Sequence, residues 1–371
     1  MRVTVERSHL LKSLGHVHRV VERRNTIPIL ANVLIRAEGG KLLLKATDLD
    51  LEVTETVPAE ISQSGATTVP AHILYDIVRK LADGAEVALD TGEGTQLALR
   101  SGRSRFTLQM LPESDFPDLA TGEFATRFTL PASGLKKLIE RTQFAISTEE
   151  TRYYLNGIYL HAVTVAGKPM LRAVATDGHR LAQAQLDAPP GSEKMAGVIV
   201  PRKTVGEIQK LVEEPDTEVT VEVSDTKIRF TIGAVVLTSK LIDGTFPDYV
   251  RVIPQGNDKI LKVDKGEFAG AVDRVSTISS ERGRAVKLAL SDGKLVLSVN
   301  NPDSGSAVEE LGVDYPADAI EIGFNSRYLL DVAGQLETGT AEFRFADPGS
   351  PTLITDVGET NALYVLMPMR V

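Results

Sequence analysis

The sequence predicts an α+β protein of three similar domains, each with two helices packed on antiparallel sheets. The first observation is a repeat of roughly 125 residues, in which a short alternating strand precedes a helical apolar pattern. The opening strands are Val3-Thr4-Val5, Phe128-Thr129-Leu130 and Leu261-Lys262-Val263. The second observation is another strand-then-helix signal in each third, at Val69-Pro70-Ala71, Val200-Pro201-Arg202 and Gly323-Phe324-Asn325. A repeat of this length has the size of a domain.

The elements of the first third follow from periodicity. A helix is predicted from Ser8, its expected N-cap, because apolar residues recur on one helical face. Those residues are Leu10, Leu11, Leu14, Val17, Val20 and Val21. A second helix is predicted after Pro70 on the same grounds. Alternating segments separated by glycine-rich turns predict strands over 41–45, 51–57, 86–90, 96–101 and 105–110. Helices on one side of antiparallel sheets give an α+β domain.

Two turns recur with the repeat. The segment 47–50, Thr-Asp-Leu-Asp, matches 176–179, Thr-Asp-Gly-His, and Asn300-Asn301-Pro302-Asp303 takes the equivalent place in the last third. The segment 111–118 likewise matches 241–248, which indicates internal duplication. Turn-forming residues near 122–126 and 254–258 predict the domain joints. The expected domains are therefore 1–125, 126–255 and 256–371.

Composition narrows the class of protein. The 371 residues suit two or three domains, and 42% apolar with 25% charged residues is the balance of a globular protein. The N-terminus lacks the apolar region of a signal peptide and no stretch reaches membrane-span length, so a cytoplasmic protein without membrane contact is expected. The absence of cysteine excludes disulfides, thiolate metal sites and a cysteine nucleophile.

The net charge of −9 argues against a protein that binds nucleic acid over its whole surface. Two predicted helices are nevertheless locally basic. One carries Lys12, Arg19, Arg23 and Arg24, and the other carries Lys136, Lys137 and Arg141. On charge alone these are either ordinary solvated faces or surfaces that meet phosphates.

Catalytic motifs are missing from the sequence, and no catalytic residue, metal site or cofactor is predicted. Asp177 and His179 are close enough in sequence for acid–base chemistry. A tight Asp-Gly turn is the favoured alternative, because the equivalent turns lack histidine. Two rival classes remain: an enzyme that uses these two residues, and a monomeric peptide-binding scaffold.

Several longer segments carry a family resemblance. They are Thr26-Ile27-Pro28-Ile29-Leu30, Ala66-Thr67-Thr68-Val69-Pro70, Ser101-Gly102-Arg103-Ser104-Arg105-Phe106, Arg152-Tyr153-Tyr154-Leu155-Asn156-Gly157, Ala175-Thr176-Asp177-Gly178-His179-Arg180-Leu181, Phe246-Pro247-Asp248-Tyr249 and Met367-Pro368-Met369-Arg370-Val371. The chain resembles, from residue 1 to 371, the bacterial sliding clamp, the beta subunit of DNA polymerase III. The resemblance implies the DNA clamp fold. Two chains would join head to tail as a homodimer, a ring of six domains around duplex DNA.

The resemblance also implies a function and its sites. The function is that of a non-catalytic processivity factor, which holds double-stranded DNA without reading its sequence. Its protein partners would be the replicative DNA polymerase, the clamp loader and other proteins with a clamp-binding motif. Residues implied to touch DNA are Arg24, Arg152, Tyr153, Tyr154, Arg202 and Lys203. Residues implied at the subunit joint are Arg103, Arg105, Phe106, Ile278 and Glu309.

A peptide-binding pocket is the last implied site. Its expected residues are Leu155, Thr176, Gly178, His179, Arg180, Leu181, Pro247, Arg251, Val252, Asn325, Tyr328, Val365, Met367, Pro368, Met369, Arg370 and Val371. Methionines adapt to varied apolar side chains, which suits a site shared by many partners. Two residues depart from the family pattern: Gly283, where a bulky apolar residue can stand, and Val371, which replaces a commoner leucine.

Overall fold

The computed structural model describes residues 1–280 and 282–371. Six α-helices lie in these residues: α1 Arg7–Val17, α2 Ala71–Lys80, α3 Ala132–Glu140, α4 Arg202–Leu211, α5 Lys265–Ser276 and α6 Ser326–Ala333. Short 3₁₀ helices cover His18–Val20, Pro28–Ala31, Glu113–Asp115, Gln143–Ala145, Glu150–Leu155 and Tyr249–Val252. None of the helices in this part of the chain is both long and apolar enough to cross a membrane.

The strands make up most of the regular structure. In the first third they are β1 Arg2–Glu6, β2 Asn32–Glu38, β3 Lys41–Thr47, β4 Leu51–Pro58, β5 Glu60–Gln63, β6 Gly65–Pro70, β7 Glu86–Asp90, β8 Gln96–Ser101 and β9 Ser104–Gln109. The middle third contains β10 Thr126–Pro131, β11 Gly157–Val165, β12 Lys168–Thr176, β13 Arg180–Asp187, β14 Val198–Pro201, β15 Glu218–Val223, β16 Lys227–Ile232 and β17 Val235–Lys240. The last third contains β18 Lys259–Asp264, β19 Ala285–Ser291, β20 Lys294–Asn301, β21 Gly305–Gly312, β22 Ile320–Asn325, β23 Thr340–Phe345, β24 Thr352–Asp356 and β25 Ala362–Leu366.

The α+β class and the threefold strand–helix repeat are confirmed. Each of the six helices follows directly on a short strand, in the pairs β1–α1, β6–α2, β10–α3, β14–α4, β18–α5 and β22–α6. The predicted strands of the first third are all present, and β2 and β5 were not predicted. The strands alternate buried and partly exposed residues, as in β16, because one face of each sheet packs on the core.

The prediction that Ser8 is an N-cap is wrong. The helix α1 begins one residue earlier, at Arg7, so Ser8 already has helical backbone geometry. Its hydroxyl donates to the Glu6 carboxylate at 2.7 Å, and the N-cap position, Glu6, makes no side-chain cap bond. The helix is instead held by burial of Leu10 and Leu14, which contributes about 1.5–3 kcal/mol for each side chain.

The chain forms two compact units. The first contains residues 1–135, 189–192 and 203–241. Its two sheets have the strand orders β5-β1-β7-β8-β9 and β10-β15-β16-β17-β4-β3-β2-β6. In the larger sheet β17 pairs antiparallel with β4, with Leu237 opposite Val53. Strands from the first and middle thirds thus share one sheet.

The second unit contains residues 136–188, 193–202 and 242–371. Its strand orders are β14-β11-β12-β13-β25-β24-β23-β18 and β21-β20-β19-β22. Here β13 pairs antiparallel with β25, with Leu181 opposite Val365. Each unit therefore takes strands from two neighbouring thirds, since the eight-stranded sheets continue from one third into the next. The division into domains 1–125, 126–255 and 256–371 stays a prediction.

The duplicated turns have the same local structure. In both 47–50 and 176–179, the threonine hydroxyl donates to the carbonyl oxygen four residues later, at 2.9 and 2.7 Å. The aspartate Oδ1 accepts the backbone N–H groups two and three residues later. The third residue has a positive φ, 80° at Leu49 and 89° at Gly178. Each turn leads into the strand, β4 or β13, at which the eight-stranded sheet continues into the next third.

Candidate functional site

The second unit contains an apolar cleft of about 270 Å³. The residues lining it are Arg152, Tyr154, Leu155, Thr176, Gly178, His179, Arg180, Leu181, Pro247, Asp248, Tyr249, Val252, Val365 and Met367. Leu155, Leu181 and Val365 are buried and belong to one apolar cluster, which forms the floor. An open apolar floor with a polar rim suits the side chains of a peptide or a small ligand.

Neighbouring elements bring these residues together. The pairing of β13 with β25 sets Leu181 opposite Val365, so both side chains reach the floor. The turn 176–179 and the 3₁₀ helices Glu150–Leu155 and Tyr249–Val252 supply the walls. The cleft is thus built where one strand pairing joins the middle third to the last.

Arg180 fixes one side of the cleft. Its guanidinium contacts the Asp331 carboxylate at 2.6 Å and the Asp177 carboxylate at 3.2 Å, and it donates to the Phe144 carbonyl at 2.7 Å. It also lies over the Tyr328 ring, 4.2 Å from the centroid. Two carboxylates balance its charge and an aromatic face orients it, so Arg180 is a rigid part of the rim.

The structure brings together only part of the predicted pocket. Ten predicted residues line the cleft: Leu155, Thr176, Gly178, His179, Arg180, Leu181, Pro247, Val252, Val365 and Met367. The others do not line it: Arg251, Asn325, Tyr328, Pro368, Met369, Arg370 and Val371. Asn325 caps α6 by accepting N–H groups of Arg327 and Tyr328, and Arg251 pairs with Asp248 at 2.7 Å. Gly283 is also outside the lining residues.

Four lining residues were missed in this role: Arg152, Tyr154, Asp248 and Tyr249. Asp248 is the last residue of the duplicated segment 241–248 and Tyr249 follows it, so their position next to Pro247 in the sequence could have identified both. Arg152 and Tyr154 were assigned to DNA instead. Arg152 pairs with Glu149 at 2.9 Å at the edge of the cleft.

The C-terminal tail is held against β22. The Met369 N–H donates to the Gly323 carbonyl at 2.7 Å. A Cβ atom on Gly323 would lie 2.3 Å from Val371 Cγ1 and 2.7 Å from the Met369 carbonyl oxygen. Glycine at this position therefore lets the tail lie directly on the strand, a requirement that the sequence did not reveal.

Replacing Gly323 with alanine is expected to displace the last three residues, since the new methyl group overlaps backbone as well as side-chain atoms. The measurement is the rate at which a carboxypeptidase releases the C-terminal residues. Gly206→Ala is the matched control, because a Cβ there meets nothing within 4 Å. Equal release rates in both variants and in the wild type would contradict the packing described for the tail.

Asp177 is hydrogen-bonded within its own turn. Its Oδ1 accepts backbone N–H groups from His179 and Arg180, and its Oδ2 accepts from the Arg180 side chain. His179 is exposed at the rim of the cleft. Over residues 1–280 and 282–371, no group of three or more His, Asp and Glu side chains is placed to hold a metal ion.

The residues predicted to touch DNA have different surroundings. Arg24 and Arg202 are exposed, and Arg202 is the first residue of α4. Tyr153 is 53% exposed, and its ring meets that of Tyr154 edge-on at 5.7 Å. Tyr153 is thus the more accessible of the two tyrosines for stacking on a nucleotide base.

Lys203 is not a free cation. Its ammonium contacts the Asp48 carboxylate, and Glu22 lies 3.4 Å away. Burial disfavours its charge, but the hydrogen bond and the charge of Asp48, with Glu22 adding to them, outweigh burial and raise the pKa of Lys203. Asp48 belongs to the duplicated turn 47–50. DNA contact by Lys203 stays a prediction, and the ammonium has these carboxylates as competitors.

Arg141 does not belong to a solvated basic face. It is buried just beyond the end of α3, with Glu359 at 3.2 Å and Glu337 at 3.3 Å. Burial disfavours its charge, yet the two carboxylates outweigh burial and raise the pKa of Arg141. The sequence interpretation of this residue is wrong, because its partners lie far along the chain.

The predicted joint residues lie on or near two exposed sheet edges. Arg103, Arg105 and Phe106 are at the outer edge strand β9 or its turn, and Phe106 is 36% exposed. Glu309 is on the outer edge strand β21, and Ile278 follows α5. Exposed edges leave backbone groups available for another chain.

Some of these side chains already have partners within the chain. Arg105 donates to the Gly102 and Ser104 carbonyls. Glu309 pairs with Arg274 at 2.5 Å, and the guanidinium holds the pKa of the Glu309 carboxyl below its usual range. Val308, which the sequence analysis missed, is 69% exposed on the same edge.

Comparisons with known proteins place the chain in a family. Three family models match it in order: the N-terminal domain of the DNA polymerase III beta subunit over residues 1–120, the central domain over 129–248 and the C-terminal domain over 250–370. With the α+β fold, these matches define a protein of the sliding-clamp class. The chain belongs to the DNA polymerase III beta subunit family.

Individual relatives agree over the full length. The beta sliding clamp of Caulobacter vibrioides is 55% identical over 372 residues, and that of Escherichia coli K12 is 42% identical over 372 residues, each with 100% of both chains covered. The crystal structure of a sliding clamp from Bartonella birtlesii bound to griselimycin has a TM-score of 0.98 and 60% identity. A Caulobacter crescentus clamp structure has a TM-score of 0.96 and 55% identity. Both structures are covered completely, as is this chain.

Proposed function

We propose that this chain is a DNA sliding clamp, a processivity factor that encircles duplex DNA and tethers the replicative polymerase. The observation that carries the proposal is the full-length match to sliding clamps, together with an apolar cleft in the second unit. The chain acts by holding two partners together. It has no reaction of its own, since Asp177, the best candidate for acid–base chemistry, is bound within a turn.

Two chains close the ring head to tail. The edge strand β9 of one chain meets the edge strand β21 of the other, so Phe106 and Ile278 lie at the joint with Val308. Support comes from the exposure of both edges and of the apolar side chains on them. Each joint pairs two different surfaces, one from each chain. Such a head-to-tail contact forms a closed ring only if the rotation that relates one chain to the next returns to the starting chain. Each chain supplies three domains, 1–125, 126–255 and 256–371.

Contact with DNA is loose and independent of sequence. Most of the surface of an acidic chain repels phosphates, whereas Arg24, Arg152 and Arg202, with Tyr153 for exposed bases, attract them locally. Weak phosphate contacts permit sliding, and the closed ring prevents release. The protein works in the cytoplasm, where it meets bacterial DNA.

The cleft takes a short peptide from each partner, and the replicative polymerase, the clamp loader and other clamp-binding proteins compete for it. Its apolar floor accepts hydrophobic side chains, and exposed Met367 adapts to their differences. The tail after Met367 is held on β22 by the hydrogen bond from the Met369 N–H to the Gly323 carbonyl.

Primer extension tests this function. The protein, the replicative polymerase and the clamp loader are combined on a primed circular template under single-encounter conditions. The product should lengthen severalfold or more when the protein is present, because a tethered polymerase rebinds before it diffuses away. Products of the same length with and without the protein would reject the proposed function.

A further inference from the structure

Tyr249 is buried and lines the cleft, and its hydroxyl belongs to a partly buried polar network. The hydroxyl oxygen lies 2.9 Å from His161 Nε2 and 3.0 Å from Arg172 Nη1. Tyr249 begins the 3₁₀ helix that also contains Val252, another lining residue. A fixed hydroxyl therefore fixes a wall of the cleft.

The network is a row of side chains across three strands. His161 on β11 is opposite Arg172 on β12, and Arg172 is opposite Gln185 on β13. The Gln185 side-chain oxygen accepts from Arg172 Nη2 at 2.8 Å and from Nε at 3.0 Å. Sheet pairing therefore sets the positions of the groups that hold Tyr249.

The direction of the hydrogen bonds follows from the donors. Arg172 only donates, so the Tyr249 oxygen accepts from it and the Tyr249 O–H is free to donate to His161 Nε2. Neutral His161 is the form that accepts this proton. Burial, and then the Arg172 charge, lower the pKa of His161 to about 4, which keeps the imidazole neutral near pH 7.

Aromatic packing holds the same segment. The Tyr159 ring stacks on His161 at 4.3 Å and on Phe246 at 4.8 Å between centroids. Phe246 in turn meets Tyr249 edge-on at 6.4 Å. A Cβ on Gly197 would lie 2.2 Å from the Tyr159 hydroxyl oxygen, so this ring is closely confined. Hydrogen bonds and stacking thus restrain 246–252 together.

We propose that His161 and Arg172 are positioning residues of the peptide cleft, which hold Tyr249 so that the wall 246–252 is formed before a peptide arrives. The inference rests on the proposed function, because it concerns the same cleft. A preformed wall removes the cost of ordering this segment on binding. Neither residue touches the peptide, so their effect on affinity passes through Tyr249.

The test compares full-length variants in the binding of a labelled polymerase-derived peptide. His161→Phe keeps an aromatic ring for stacking but removes the acceptor, and Tyr249→Phe removes the hydroxyl. Both should weaken binding by about three- to tenfold, the equivalent of one lost hydrogen bond. His161→Gln, which restores an acceptor, should stay within about twofold of the wild type. His9→Phe, an exposed histidine in the first unit, is the matched control and should bind as the wild type does.

The outcomes separate the two claims. If deletion of Met367–Val371 weakens binding and His161→Phe does not, the inference is overturned while the cleft assignment stands. If His161→Phe and His161→Gln lower affinity equally, the acceptor is irrelevant and the inference also fails. Equal binding by the wild type and the deletion variant, or no binding by the wild type, overturns the cleft assignment and the inference with it.

Discussion

Deletion of Met367–Val371 is expected to weaken binding of polymerase-derived peptides by tenfold or more. Met367 lines the cleft and is 40% exposed, so a bound peptide would cover it. Loss of a methionine buried in a core costs about 2–5 kcal/mol, and the cost is smaller in a pocket that relaxes. A loss of about 1.4 kcal/mol already corresponds to tenfold. Peptide affinity is measured by titration of a labelled peptide.

The Met369→Ala variant distinguishes the contribution of the tail from that of the residues that line the cleft. Met369 is outside the cleft and is held through its backbone N–H, so its truncation should weaken binding less than the deletion does. The control for both variants is the dimer mass by light scattering, which should not change because the tail lies on β22, at the opposite edge of its sheet from β21. A deletion variant that binds peptide like the wild type would show that the cleft is not the docking site.

Single charges on the exposed edges are expected to break the ring. Phe106→Asp on β9 and Val308→Asp on β21 each place a carboxylate where the proposed joint buries an apolar side chain. An unpaired buried charge is far costlier than a lost apolar contact. At micromolar concentration, light scattering should then report the mass of one chain instead of two.

Val357→Asp is the matched control, since Val357 is 37% exposed and lies outside both edge strands. It should remain a dimer. The monomeric variants should keep their peptide affinity, because the whole cleft lies within the second unit of one chain. If both edge variants remain dimers, the joint has been placed on the wrong strands.

Local patterns were enough to predict the architecture. Alternation and helical periodicity predicted all six strand–helix pairs, because each pair depends on neighbours in sequence. The turns 47–50 and 176–179 were recognised as duplicates, and their hydrogen bonds agree bond for bond. β2 and β5 were missed even so, and the N-cap of α1 was misplaced by local composition.

Ion-pair and hydrogen-bond partners that lie far apart along the chain could not be predicted from the sequence. The residues adjacent to Arg141 and Lys203 do not reveal their partners Glu359 and Asp48. Arg141 was therefore counted in a basic helix face, and Lys203 was predicted to touch DNA. The cleft was predicted through family resemblance, yet the network behind Tyr249 was not, because it depends on the pairing of three strands. A cluster of basic residues in a sequence therefore does not by itself identify a phosphate-binding surface, because burial and ion pairs decide which of the cations are available.

Topology, rather than affinity, is expected to hold this protein on DNA. The measurement is retention on a circular plasmid after loading and a high-salt wash, compared with the same plasmid cut once. Direct phosphate contacts weaken steeply with salt, whereas a closed ring does not depend on them. We expect the protein to stay on the circular plasmid and to leave the cut plasmid through its ends. A variant with Arg24, Arg202 and Lys203 all changed to alanine should load in smaller amounts. The molecules of that variant that do load should show the same difference between circular and cut plasmid. Equal retention on circular and cut plasmid, with no protein blocking the ends, would contradict encirclement.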